Sequence, residues 1–145
     1  MENLFKLLSD AQASLFVLFQ KTWIYHWDVV GPDFHQLHTV FGDQYTTMFE
    51  EIDTLTEHMR YLGMKPVTTL SRVLEVSAIA EADSEIVAFG MVAQLMDDNM
   101  RIIQMLTAIS EEADKKKQYA TSNLVQGLME THGKFVWMLR SFLEG

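Results

Sequence analysis

A chain of 145 residues has the size of one domain, and 48% hydrophobic with 21% charged residues is globular composition rather than disorder. Cysteine is absent, which excludes disulfides, thiolate metal sites and cysteine nucleophiles, so any metal must sit on His, Asp or Glu. Eleven basic against twenty acidic residues give a net charge of −9, which repels nucleic acid and anionic membrane and suits cations.

No apolar run approaches the roughly 20 residues that cross a bilayer. Glu2, Asn3 and Lys6 interrupt any signal segment, so the expectation is a cytoplasmic protein without membrane contact. Both prolines stand beside glycine-containing breaks, Gly31-Pro32-Asp33 and Gly63-Met64-Lys65-Pro66. Before the first break, Leu4, Leu8, Ala11, Leu15 and Leu18 recur at helical spacing, predicting a helix from Glu2 to about Asp28. Between the breaks, Phe34, Leu37, Phe41, Tyr45, Met48, Ile52, Leu55, Met59 and Leu62 predict a second helix, with Asp33 as N-cap and Gly63 as its stop. Thr69 to Glu75 is long enough for a short helix. A third long helix carries Ile86, Phe89, Ala93, Met96, Met100 and Ile103 inward, and the polar stretch Glu111 to Gln118 reads as a connection. The last helix runs from about Ser122 to Phe142, with Leu124, Leu128, Phe135, Met138 and Phe142 inward. With no alternating strand pattern, these elements predict an all-α single domain over residues 1–145: a four-helix bundle with a short extra helix between the second and third.

The chemistry rests on five histidines and twenty carboxylates. A di-iron site inside such a bundle uses Glu-x-x-His. The residues three before each histidine are Trp23, Pro32, His35, Leu55 and Met129, so that site is not supported. Asp53 and Glu57 are four apart on the second helix and face one way. His38 lies fifteen residues earlier, roughly 22 Å along the axis, so one helix cannot bring all three to one ion. If they act together, a second subunit must supply half the site. Spacing alone favours two solvated carboxylates. His26, near the end of the first helix, reads by itself as a packing or capping residue. His35 and His38 make a weak two-histidine site, His58 reads as surface, and His132 falls on the apolar stripe of the last helix. The ten methionines are core filler, and Lys115 to Lys117 a solvated loop.

The stretch His26-Trp27-Asp28-Val29-Val30-Gly31-Pro32-Asp33-Phe34, followed by His38 and then by Asp53 and Glu57, resembles the Dps family of dodecameric ferritin-like miniferritins. Leu62-Gly63, Pro66 and Trp137-Met138-Leu139-Arg140 extend the resemblance over essentially the whole chain. It implies a ferritin-like bundle and a ferroxidase centre at a two-fold subunit interface. His26 and His38 would come from one subunit, Asp53 and Glu57 from the other. The implied chemistry is binding of Fe(II), oxidation by hydrogen peroxide, and storage of ferric mineral in a hollow shell that protects against oxidative stress, with zinc as a competitor. Trp27 would stand next to the iron as an oxidisable ring.

Three features depart from the family pattern. Gly42 stands where an aspartate usually follows the second histidine by four, with Asp43 one position late; this predicts a loose second ion that Gly42→Asp would tighten. Asn123 replaces an acid of the three-fold pore, and the lysine-rich arm with which some members bind DNA is missing before the first helix. The competing readings are a shell whose metal site is impaired and a DNA-compacting protein, the latter disfavoured by the charge of −9.

Overall fold

In the computed structural model, which describes residues 1–144, the glycine–proline breaks fall between helices: α1 (Glu2–Asp28), α2 (Phe34–Tyr61), α3 (Leu70–Val76), α4 (Ala88–Lys115) and α5 (Tyr119–Leu143). Among the described residues there is no strand. The fold is a ferritin-like bundle of four long helices with α3 in the long connection. Gly63, at a φ of +84°, terminates α2 as expected, and the Met64 N–H returns to the Met59 carbonyl at 3.1 Å. Asp33 occupies the N-cap position of α2, yet its side chain makes no capping bond. Thr69 does cap α3, accepting from the Arg72 N–H.

α1 runs antiparallel to α2 and to α4, while α5 runs antiparallel to α4 and α2. Gln12 meets Thr56, Lys21 meets Asp98, and Glu51 meets His132 across these pairings. Leu4, Leu8, Ala11, Leu15 and Leu18 are all buried, so the first stripe is as the spacing predicts. The connection from α2 to α4 is pinned to α1 by side chains that satisfy its backbone. Gln12 bonds both the N–H and the carbonyl of Val67, the Ser14 hydroxyl accepts from Ala78, and the Tyr25 hydroxyl accepts from Asp83.

Three sequence expectations need correction. α4 continues through the acidic stretch to Lys115, so the turn into α5 is only 116–118, with Lys117 at a φ of +59°. α4 is also rotated relative to the expected stripe. Its buried residues include Met91, Val92, Leu95, Asn99, Ile102, Leu106 and Ile109, whereas Phe89 and Met100 are exposed. A buried asparagine interrupts the true core stripe, so the neighbouring run of apolar residues gives the stronger pattern. On α5, Val125, His132, Val136 and Leu139 join Leu128 and Phe135 inside, and Met138 faces out.

Candidate metal centre

His26 and His38 meet although twelve residues separate them. α1 ends at Asp28, Gly31 adopts a φ of +110° in the turn, and α2 starts at Phe34 in the opposite direction. The last turn of α1 therefore lies against the second turn of α2. The two imidazoles stack with centroids 3.8 Å apart and planes 13° from parallel. His38 Nδ1–H donates to the His26 carbonyl at 2.8 Å, and His26 Nδ1–H donates to the His38 carbonyl. A carbonyl only accepts, so both bonds fix Nδ1 as the donor and leave Nε2 of each ring as the nitrogen not engaged in this exchange.

An aromatic wall stands behind this pair. Tyr45 lies 5.3 Å from the His26 ring, Trp23 stacks on Tyr45 at 5.5 Å, and Trp27 follows Trp23 at 4.9 Å. The helical spacing assigned Tyr45 to the core; it is half-buried and packs on the histidine instead. Trp27 is exposed beside His26.

Gly42 has a steric meaning that the sequence does not reveal. A Cβ there would lie 3.0 Å from Cε1 and 3.1 Å from Nδ1 of His26. The histidine ring borders the empty side-chain position, so any side chain at Gly42 asks that ring to give by a few tenths of an ångström. Asp43, one position on, is exposed.

Asp53 and Glu57 lie one turn apart on the outer face of α2, both exposed. Hydrogen bonding with Asp53, then the neighbouring Asp53 charge, then slight desolvation raise the Glu57 carboxyl above its ordinary range. Asp53 borders a cleft lined by Phe16, Phe19, Phe49, Leu70 and Val73. Phe49 is 63% and Leu70 69% exposed, an uncovered apolar rim beside Asp53.

The structure thus brings His26 to His38 and Asp53 to Glu57, and it keeps the two pairs apart along α2. Among the described residues no three His, Asp or Glu side chains converge to hold a metal. His35 is exposed and borders a groove with Trp137, Met138 and Phe142, while His38 turns toward His26. His58 corrects its surface reading: it is half-buried and hydrogen-bonded to the Thr121 hydroxyl at 2.7 Å, and burial lowers its pKa. His132 is fully buried, with both ring nitrogens bonded.

Residues 5–145 match the Ferritin family, a ferritin-like domain. The chain is 36% identical over 142 residues to DNA protection during starvation protein 2 of Bacillus anthracis, covering 98% of this chain and 97% of that protein. The chain belongs to the Dps family. The crystal structure of a Dps protein from Bacillus brevis superposes with a TM-score of 0.94 at 33% identity, covering 98% of this chain and 95% of that one. The Dps protein of Vibrio cholerae, described as a member of a broad superfamily of ferritin-like diiron-carboxylate proteins, superposes with a TM-score of 0.93 at 28% identity, over 98% and 89% of the two chains. No helix among the described residues is long and apolar enough to cross a membrane.

Proposed function

We propose that the protein is a ferroxidase and iron-storage miniferritin whose metal site forms between two copies of the chain. The observation that carries this reading is the pair of incomplete half-sites on one helix. His26 and His38 present two nitrogens, and Asp53 and Glu57 two carboxylates roughly 22 Å further along α2. Neither suffices for a redox metal. Two copies related by a two-fold axis complete two sites at once, because an isologous contact pairs each half with its complement. The exposed Phe49 and Leu70 beside Asp53 suit burial in such a contact.

Iron is the substrate. The imidazole nitrogens hold Fe(II) without adding charge, and the carboxylates stabilise the harder Fe(III) product. Hydrogen peroxide is the oxidant: two Fe(II) ions give one electron each, the O–O bond breaks, and its two oxygens leave as hydroxide that takes up protons as water. Water then hydrolyses the ferric ions to an oxyhydroxide with release of protons. A closed dodecamer stores that product, and zinc, which favours the same nitrogen and oxygen donors, competes for the site.

Mixing subunits tests the reading. Chains carrying His26→Ala and His38→Ala, and chains carrying Asp53→Ala and Glu57→Ala, should each fail to oxidise anaerobic Fe(II) when peroxide is added, as followed by ultraviolet absorbance. Dissociated and reassembled together, they should regain a fraction of the activity at mixed dimers. Full-rate oxidation by a stable monomer in light scattering would overturn the proposal.

A further inference from the structure

We propose that the row of aromatic rings between α1 and α2 is an electron path joining the two metal centres of a dimer, with Tyr45 as its oxidisable station beside the histidines. The inference rests on the reading that His26 and His38 of one copy meet Asp53 and Glu57 of another. Each chain then gives its histidines to one centre and its carboxylates to the other. Whatever spans the two half-sites of one chain therefore spans both centres.

The row is continuous. Tyr45 lies 5.3 Å from the His26 ring and stacks on Trp23, with centroids 5.5 Å apart and planes 17° from parallel. Phe19 follows at 6.2 Å from Tyr45 and 5.7 Å from Trp23, and Phe49 stands 6.0 Å from Phe19. Phe19 and Phe49 line the cleft that Asp53 borders. On α2, His38, Tyr45, Phe49 and Asp53 follow one flank at steps of seven, four and four residues. The rings flank the bundle core rather than fill it. Leu15, Leu18, Met48 and Leu55 are buried, whereas Trp23 and Tyr45 are half-buried and Phe49 is exposed.

Peroxide takes two electrons, and a single Fe(II) supplies one. In a chain without cysteine, tyrosine and tryptophan are the side chains that give up one electron. At a centre holding one Fe(II), the iron gives the first electron and Tyr45 the second. The O–O bond breaks, the phenolic proton of Tyr45 joins one of its oxygens, and the products leave as water and hydroxide. Tyr45 remains as a neutral radical. Fe(II) at the other centre then returns an electron through Phe49 and Phe19, and Tyr45 recovers a proton from water. The phenylalanines are not oxidised; they shorten the gap the electron crosses. Trp23, in contact with both Tyr45 and Phe19, is a second oxidisable ring on the same path. Two irons in separate centres thus reduce one peroxide with no hydroxyl radical released.

The mixed dimers that test the metal site also isolate the path. A His26→Ala/His38→Ala chain paired with an Asp53→Ala/Glu57→Ala chain keeps one intact centre of two. Loaded with Fe(II) and frozen after peroxide is added, these dimers should show a tyrosine radical in electron paramagnetic resonance, because no second iron refills Tyr45. Wild type with both centres filled should lose that signal. The chain has four tyrosines, so Tyr45→Phe in the chain with intact histidines assigns it. The signal should vanish, and a spin trap should instead collect the hydroxyl radical left by one-electron reduction of peroxide. Because Tyr45→Phe keeps the ring, anaerobic affinity for Co(II), a redox-inert stand-in for Fe(II), should stay at the wild-type value. Phe19→Leu in otherwise wild-type protein cuts the row beyond Tyr45, so the radical should persist there even with both centres filled. Mixed dimers that oxidise iron without a Tyr45 radical would overturn the proposal. So would a Phe19→Leu protein that clears the radical as wild type does. Mixed dimers that oxidise no iron would sink the inter-subunit reading itself and this path with it.

Discussion

Glu51 Oε1 meets His132 Nε2 at 2.8 Å in the middle of the bundle, joining α2 to α5. The other ring nitrogen, Nδ1, lies 2.7 Å from Asn99 Oδ1 on α4. Because the Asn99 amide NH2 donates to the Leu95 carbonyl, its oxygen is the atom that faces the ring and accepts from Nδ1–H. Glu51 Oε2 is buried without a partner, so the network leaves one carboxylate oxygen unsatisfied. His132→Leu should destabilise the protein by about 1–3 kcal/mol, because it leaves the buried Glu51 carboxyl and the Asn99 oxygen without hydrogen-bond partners. Replacing Glu51, His132 and Asn99 together by leucine should recover most of the loss. Denaturant midpoints of the single and triple variants check this; a triple variant no better than His132→Leu would contradict it.

A second buried pair joins α1 to α4. Lys21 Nζ lies 2.8 Å from Asp98 Oδ2, meeting it as a charge rather than along a hydrogen-bond direction. Burial raises the Asp98 carboxyl above its ordinary range, and Lys21 partly offsets that rise. Lys21→Met should cost about 3–5 kcal/mol at neutral pH by stranding the carboxylate. With the cation gone, the folded-state pKa of Asp98 rises further above its unfolded value. A raised carboxyl costs stability only once it ionises, so the deficit should vanish below pH ~4 and grow as pH rises through the folded pKa. In Lys21→Met/Asp98→Asn the pH dependence of the deficit should disappear. Thermal unfolding of both variants between pH ~4 and ~8 decides the matter.

These two networks mark where the sequence is hard to read. The breaks at Gly31-Pro32 and Gly63, with the unmixed stripe of α1, make the helix order and most boundaries legible. The phase of α4 is not legible, because Asn99 occupies a core position and a count of apolar residues prefers the flank holding Met96, Met100 and Ile103. At the candidate site, Asp53 and Glu57 are readable as a pair from their spacing alone. The contact between His26 and His38 depends on the turn at Gly31, and the fit of Gly42 under His26 depends on two helices at once. No periodicity carries either.

The acid pair has its own pH signature. The Glu57 carboxyl lies above the ordinary carboxylate range because hydrogen bonding with Asp53, and then the Asp53 charge, favour its protonated form. A metal must displace that proton, so affinity for Co(II) should begin to fall at a higher pH than an isolated glutamate with pKa ~4.3 would dictate. Asp53→Asn removes the neighbouring charge and should return Glu57 to its ordinary range. Carboxyl carbon shifts followed by nuclear magnetic resonance across a pH series measure this directly, and an unshifted Glu57 titration in wild type would refute it.

Binding to duplex DNA should be weak or absent near neutral pH. A net charge of −9 repels phosphates, and the one basic run in the sequence, Lys115 to Lys117, sits at the exposed turn between α4 and α5. Three lysines release few counterions, so neither the affinity nor its salt dependence can be large. A gel shift with metal-free protein at about 0.15 M salt, where charges are screened beyond roughly 8 Å, should leave the duplex unretarded. Lys116→Glu with Lys117→Glu should change nothing. Clear retardation that this double variant abolishes would place a nucleic-acid contact on that turn and overturn the argument from net charge.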